Sequence, residues 1–308
     1  MNVQLIDVEI GNHLWAERFD KPVADLFDMQ DEIVSRLANT LNSQLIAVEA
    51  RRAERSPNRD AIDLCFQGAA WANKGRTPEY LARARGFYER ALALEPGNVE
   101  ALVGTAWVNC SISANVLTDD RIEHLAAAEE TVTKVLSLAP NHPIAHYVLG
   151  RAQTFTNRAA QGIAKYERAL TLDRNLAYAQ AHIGLAKLYL GRGGETEAHI
   201  EQALRLSPRD TNVYVWTMFI GLAKFWHGTE AEAIVCCAGA LKPTEIPLRI
   251  SIWRLSWRTA VSWMRRGLQR RRVLRSIRVS LSAAIARTPQ ATIPCISRDA
   301  SASMRACG

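Results

Sequence analysis

From Ile246 to Arg298 the chain contains no aspartate, no glutamate and no lysine, yet it holds twelve arginines. Charge is therefore not mixed evenly, and the formal +7 does not describe the whole chain. Residues 246–308 carry thirteen arginines against one acid, while residues 1–245 carry a net −5. The body is mildly acidic, so a basic nucleic-acid surface is not expected there. Cysteine is sparse, with six in 308 residues, and forms neither a CxxC pair nor a Cys/His metal spacing. That argues against a zinc module or a disulfide framework and for buried thiols in a reducing cytoplasm. Long hydrophobic runs are missing too. The longest, Val213–Ala223, has eleven residues, against the roughly 20 needed to span a bilayer. Met1–Ile10 lacks the basic-then-apolar order of a secretory leader.

What is present is a repeat. The segments FYERALALEPGN (Phe87–Asn98), TVTKVLSLAPNH (Thr131–His142), KYERALTLDRNL (Lys165–Leu176) and HIEQALRLSPRD (His199–Asp210) align on Ala91, Val135, Ala169 and Ala203, in steps of 44, 34 and 34. Val132, Tyr166, Ile200 and Ile234 stand 34 apart, as do Ala128, Gly162 and Thr196, and Gly150 and Gly184. The ten extra residues of the first step fit best as a loop around Cys110–Asp120. A 34-residue period of paired helices is the tetratricopeptide (TPR) signature. The spacing has a physical sense. A small residue at Gly150 or Gly184 lets the first helix of a pair approach the second, and Gly162 or Thr196 receives it. Tyr88, Tyr166 or Ile200 fills the gap to the next pair. Pro96, Pro140 and Pro208 close the second helices.

Ahead of the repeats, MNVQLIDVEIGNHLWAERFD reads as a β-hairpin turning at Gly11-Asn12. Asp25 to Arg55 reads as one helix, with Leu26, Met29, Ile33, Leu37, Leu41, Leu45 and Val48 in an apolar stripe. Ser56-Pro57-Asn58 breaks it. A lone hairpin is marginal in water, so its sheet partners are expected ahead of Met1.

These residues resemble the end of the TolB-like domain of multidomain bacterial regulators. The matching positions are Gln4, Leu5, Ile6, Asp7, Gly11, His13, Leu14, Trp15, Ala16, Arg18, Phe19 and Asp20, then Phe27, Gln30, Asp31, Glu32 and Ile33. In such regulators TPRs follow, and the front end is a class III adenylate/guanylate cyclase domain or a winged-helix DNA-binding domain. The resemblance covers about residues 1–243 and is similar to rhizobial-type proteins of the cyclase class. It implies that the chain is the carboxy-terminal part of such a protein. A cyclase site needs two metal-binding carboxylates, and nothing in the sequence matches that domain.

The expected architecture is thus all-α: a TPR-type superhelix of four to five repeats over residues 60–243. A TolB-like remnant of hairpin and helix over residues 1–56 precedes it, and an Arg-rich tail over residues 244–308 follows. The tail breaks the period. Arg271 stands where a small packing residue belongs, and Trp263–Ser280 holds seven arginines in eighteen residues. Translation in a shifted frame accounts for the simultaneous loss of period, acids and lysines. A basic amphipathic helix on nucleic acid or an anionic membrane is the second account, and a solvated charged face the third. Without a next repeat to cover them, Phe219, Leu222 and Trp226 are expected to be partly exposed.

Candidate chemistry is thin. Gly191–Gly194 lacks the Lys-Ser/Thr of a phosphate loop and fits an inter-helix turn. His142 and His146 lie around Pro143 and fit capping or groove-lining roles better than a metal site. Asp28, Asp31 and Glu32 fit a solvated helix face near its positive end. Cys236-Cys237 fits a small packing slot. No catalytic residue, metal ligand, cofactor or small-molecule substrate is implied. The expected working surface is the concave face made by first helices: Tyr147, Arg151 and Phe155, then Tyr178, Leu185 and Tyr189, then Val215 and Phe219. Aromatics with an arginine suit a protein or peptide segment, and packing between repeats is the competing role for each. The expected function is a non-catalytic, cytoplasmic interaction module. The alternatives are cyclic-nucleotide signalling by family and nucleic-acid or membrane binding through the tail.

Overall fold

The computed structural model describes residues 2–6, 11, 13–18, 26–56, 59–114, 120–228, 232 and 233. The tail 244–308, Cys236, Cys237 and Ile234 lie outside them, as do Asn12 and the side chains of Asp28, Asp31 and Glu32.

Strands β1 (Asn2–Ile6) and β2 (His13–Arg18) pair antiparallel, Asn2 opposite Arg18, with a register shift between Leu5 and Ile6. Gly11 at φ 67° supplies the left-handed backbone the turn needs. Helix α1 (Leu26–Arg55) follows as one helix of 30 residues. Its expected stripe is buried only in part. Of its members Ile33 is buried and Leu37 and Val48 are half-buried, but Leu41 and Leu45 are 40% and 54% exposed; Ala50 and Ala53, outside the stripe, are buried near the end of the helix. The reason is that α1 docks through its last turns on the next helix. Farther back it is tied by Asn39, whose Nδ2 donates to the carbonyls of Asn175 and Leu206, both at 3.1 Å.

Nine helices in antiparallel succession come next among the described residues: α2 (Ala61–Asn73), α3 (Pro78–Leu94), α4 (Val99–Ala114), α5 (Arg121–Leu138), α6 (Pro143–Phe155), α7 (Ala159–Leu172), α8 (Ala177–Tyr189), α9 (Thr196–Leu206) and α10 (Val213–Trp226). The starts follow from capping chemistry. Asp60 accepts from Asp63 N–H at 2.8 Å, and Thr77 from Tyr80 N–H at 3.2 Å. Proline occupies the first turn of α3 and α6, where its missing N–H costs nothing. The even-numbered helices α2, α4, α6, α8 and α10 touch one another in sequence and form one layer. The odd-numbered helices α3, α5, α7 and α9 form the other, each packed on the helices before and after it. This is a helical repeat of TPR type.

The ten extra residues are not mainly a loop. α4 runs to Ala114 and is three residues longer than α6, and α5 is four longer than α7; residues 115–119 of the expected loop lie outside those described. Cys110 is buried inside α4. A helix extends more readily than a loop here because Val108, Leu125 and Val132 along these helices have apolar neighbours to bury against.

Small residues set the closeness of a pair. A Cβ on Gly162 would lie 2.8 Å from the carbonyl oxygen of Gly150, and a Cβ on Gly150 would lie 3.0 Å from that of Gly162. Thr154 Oγ1 sits in this crossing, donating to the Gly150 carbonyl at 2.8 Å and within 3.1 Å of the Tyr166 hydroxyl. In the next pair Thr196 Oγ1 donates to the Gly184 carbonyl at 2.9 Å. Tyr166 and Ile200 are fully buried, and the Tyr88 ring fills the space beside Gly68 and Gly104. Trp226 is 45% exposed, but Phe219 and Leu222 are buried, because they face back into a cluster with Leu185 and Leu188.

Gly162→Ala should therefore lower stability in chemical denaturation by about 1–3 kcal/mol, since the added methyl meets backbone that cannot yield. Gly86, inside α3, has nothing within 4 Å of its would-be Cβ. Gly86→Ala should be neutral or stabilising by up to about 1 kcal/mol. Equal losses in both variants would mean that the close crossing does not hold the pair.

Candidate functional site

The layer of even-numbered helices is the one on which the working face is expected, and the 34-residue step places equivalent residues on its successive helices. Trp107 on α4, Arg151 on α6, Leu185 on α8 and Phe219 on α10 occupy one column. Ser111, Phe155 and Tyr189 occupy the next turn. Of the eight residues expected on this face, Tyr147, Arg151, Leu185 and Phe219 are buried, while Phe155, Tyr178, Tyr189 and Val215 are half-buried.

Tyr147 is the centre of an aromatic cluster. Its ring lies 4.7 Å from that of Tyr178, 5.3 Å from that of His182, edge on, and 5.9 Å from that of Tyr166. His182 also meets Phe219 edge on at 6.0 Å. Such geometries suit the ring quadrupoles. They join α6, α7, α8 and α10 around one point. Burial raises the hydroxyl pKa of Tyr147, Tyr166 and Tyr178, so all three stay neutral. Burial first, then the charges of Arg151 and Arg76, holds the His182 imidazole well below the ordinary histidine range. Its Nδ1 lies 2.8 Å from the Tyr178 carbonyl, where a neutral ring donates.

Two arginines enter the same region. Arg151 is fully buried, its guanidinium 5.7 Å from the Tyr147 ring centre and 5.9 Å from that of Trp107. Arg76, on the connection between α2 and α3, is 8% exposed and lies 5.7 Å from the Trp107 ring centre. Burial, then the Arg151 charge, pulls the Arg76 pKa below its ordinary value, a sign of an unfavourable place for a cation. Arg76, Trp107, Ser111 and His182 were not in the expected set. The 44-residue step would have brought in Trp107 as the counterpart of Arg151 and Ser111 as that of Phe155. Arg76 lies between helices and belongs to no column.

Other candidates take structural places. His142 caps α6, its Nδ1 accepting from Ala145 N–H at 3.2 Å, and its Nε2 lies 3.1 Å from Glu100 Oε1. His146 Nε2 lies 2.9 Å from the Pro140 carbonyl. Gly191, at φ 77°, ends α8, and Gly193–Glu195 is a single 3-10 turn leading into α9. Cys65 and Cys110 are buried free thiols, with pKa values pushed up by burial to about 12 and about 11. Among the described residues no three His, Cys, Asp or Glu side chains come together as metal ligands would, and no helix is long and apolar enough to cross a membrane.

No family model matches the chain. A putative adenylate cyclase 3 of Rhizobium meliloti (strain 1021) is similar, 31% identical over 167 residues, which is 51% of this chain and 27% of that protein. The chain thus spans well under two thirds of that relative. Among solved structures, a thermophilic TPR protein of Thermus thermophilus superposes at a TM-score of 0.50, covering 63% of this chain and 98% of its own at 19% identity. MamA covers 57% of this chain and 95% of its own at 24% identity and a TM-score of 0.38. The first of these likenesses agrees with the repeat seen here, and it concerns the fold.

The buried imidazole makes stability depend on pH. His182 is neutral in the fold and takes up a proton when released, as His146 and His199, also depressed by burial, do in part. Stability should be level above the unfolded histidine pKa of about 6.5 and fall as pH drops below it, by up to about 1.4 kcal/mol per unit for each histidine. His182→Gln should flatten that slope in urea titrations between pH 7 and 5. An unchanged slope would place the proton uptake elsewhere.

Proposed function

We propose that residues 60–243 form a non-catalytic protein-interaction module whose inner helix layer holds an extended peptide or a partner helix. The observation that carries this reading is the half-buried row of Phe155, Tyr178, Tyr189 and Val215. It runs across α6, α8 and α10, each ring or side chain packed on the core on one side and partly open on the other. Half-buried aromatics present rigid apolar area that loses little entropy when a partner covers it. Repeats that contact only their neighbours make such a surface continuous.

The likeness to a putative adenylate cyclase supports a second level of this reading. The module acts inside a signalling protein, coupling a partner to an output domain of cyclic-nucleotide type. Residues 1–56 are then the end of a TolB-like domain, and the repeats lie on its carboxy-terminal side. The buried, unreactive thiols of Cys65 and Cys110 suit a cytoplasmic site of action. Nucleic-acid or membrane binding through the tail concerns residues outside those described.

Two measurements test this. Fluorescence polarisation against labelled short peptides should find binders. Phe155→Ala with Tyr189→Ala should weaken them about tenfold or more, with the circular dichroism spectrum retained. The same affinity in the double variant would remove the inner layer as the binding face. An assay of the purified chain for cyclic nucleotide formation from ATP should give none, and turnover would show catalysis.

A further inference from the structure

Arg151 breaks the rule of its own column. The equivalent residues at the 44- and 34-residue steps are Trp107, Leu185 and Phe219, all apolar and all fitted to packing. At this place α6 carries a guanidinium that is fully buried. Nη1 donates to Ser111 Oγ at 3.2 Å, while Nε and Nη2 meet no hydrogen-bond partner among the described residues. Arg76 approaches the same Trp107 ring, so a second cation shares the place. Asp210, in the turn before α10, is an acid whose charge reaches Arg76. Its Oδ1 already accepts from the N–H and Nδ2 of Asn212, at 2.7 and 2.8 Å. A guanidinium keeps its charge at any working pH, and burying one unpaired is unfavourable. Packing alone therefore does not account for Arg151.

We infer that Arg76 and Arg151 form an oxyanion site on the inner face, and that its ligand is the carboxylate of an aspartate or glutamate in a bound polypeptide. The inference rests on the reading of this layer as a peptide-binding face. The unpartnered atoms decide the ligand's shape. Nε and Nη2 form the side-on edge of the guanidinium, whose two parallel N–H groups match the two oxygens of a carboxylate. The charge decides its valence. Two guanidinium groups, with the charge of Asp210 reaching Arg76, leave one net positive charge, which a singly charged carboxylate balances and a doubly charged phosphate exceeds. The setting decides its carrier. The rings of Trp107 and Tyr147 lie beside the guanidinium groups, so the acid should sit between apolar residues of a chain rather than arrive alone. Access comes through Arg76. It sits on a connection that belongs to no helix, next to Gly75 at φ 144°, and can swing aside while α2 and α3 stay intact.

The test uses the full chain and Arg151→Met, which keeps the volume and removes the charge. Melting is first compared in sodium acetate, sodium phosphate and sodium chloride at equal ionic strength. Acetate should raise the melting temperature of the full chain above its value in chloride, and Arg151→Met should show no such difference. Arg151→Met should also melt in chloride no lower than the full chain, since an unpaired buried charge has been removed. A markedly lower melt would show that Arg151 is satisfied in the free fold, and a rise with phosphate but not acetate would rule out a carboxylate; either overturns the inference. Both proteins are then applied to an array of short peptides varied at every position. The full chain should select aspartate or glutamate flanked by apolar residues, and Arg151→Met should lose that selection, with about tenfold weaker binding of the best peptide. Binding without acidic preference, or with the same preference in Arg151→Met, overturns the inference and leaves the peptide face standing. Absence of binding by both proteins overturns the peptide face and this inference with it.

Discussion

The repeats rest on one close approach, the crossing of α6 and α7 where the carbonyl of each glycine, Gly150 and Gly162, stands where a methyl on the other would go. Two backbones can come this near only if neither carries a side chain there. Once they do, Thr154 Oγ1 reaches a carbonyl that a wider spacing would leave to water, and the Tyr166 ring is pressed against the next pair. The step from one pair to the next is then set by one ring. The even-numbered helices fall into a common layer because each pair repeats that step. Gly184 with Thr196, and Gly68 and Gly104 with Tyr88, show the same device with different atoms.

That layer has two kinds of residue in equivalent places. Some of its columns are apolar throughout and close the core, as Val108, Ala152, Ala186 and Ile220 do. The column through Trp107, Arg151, Leu185 and Phe219 is apolar except at α6, and the exception falls where the aromatic cluster around Tyr147 is densest. A buried cation among rings is costly to the free fold and useful to a bound anion, which is the usual trade between stability and recognition. The histidine beside it stays neutral for the same reason.

Much of this was legible from the amino-acid order alone, where it depended on spacing. The 34-residue step, the glycine and threonine crossings, the buried Tyr166 and Ile200, and α1 as a single helix are all local or periodic, and local chemistry decides them. What depended on distant packing was not legible. The stripe along α1 did not reveal that Leu41 and Leu45 would stay exposed, because that depends on where α2 and Asn39's partners hold the helix. Phe219 and Leu222 looked like an uncovered end but turn inward to α8. Arg76 sits between helices and follows no period, so nothing in the sequence linked it to Arg151. The extra residues between the first two pairs looked like a loop and are mostly helix. A period shows that residues have been added but not what conformation they take.

The bonds from Asn39 have a mechanical side. A stack of pairs in which each touches only its neighbours behaves as a spring, and its pitch is free to open or close a little at every joint. Helix α1 rests on α2 near its end and, through one amide, holds the carbonyls of Asn175 and Leu206 far along the stack. It therefore acts as a strut across several joints at once. A spring with a strut has one length rather than many. A push on the start of α1 would be felt as a change of pitch along the coil, at the very layer where Tyr178 and Arg151 stand.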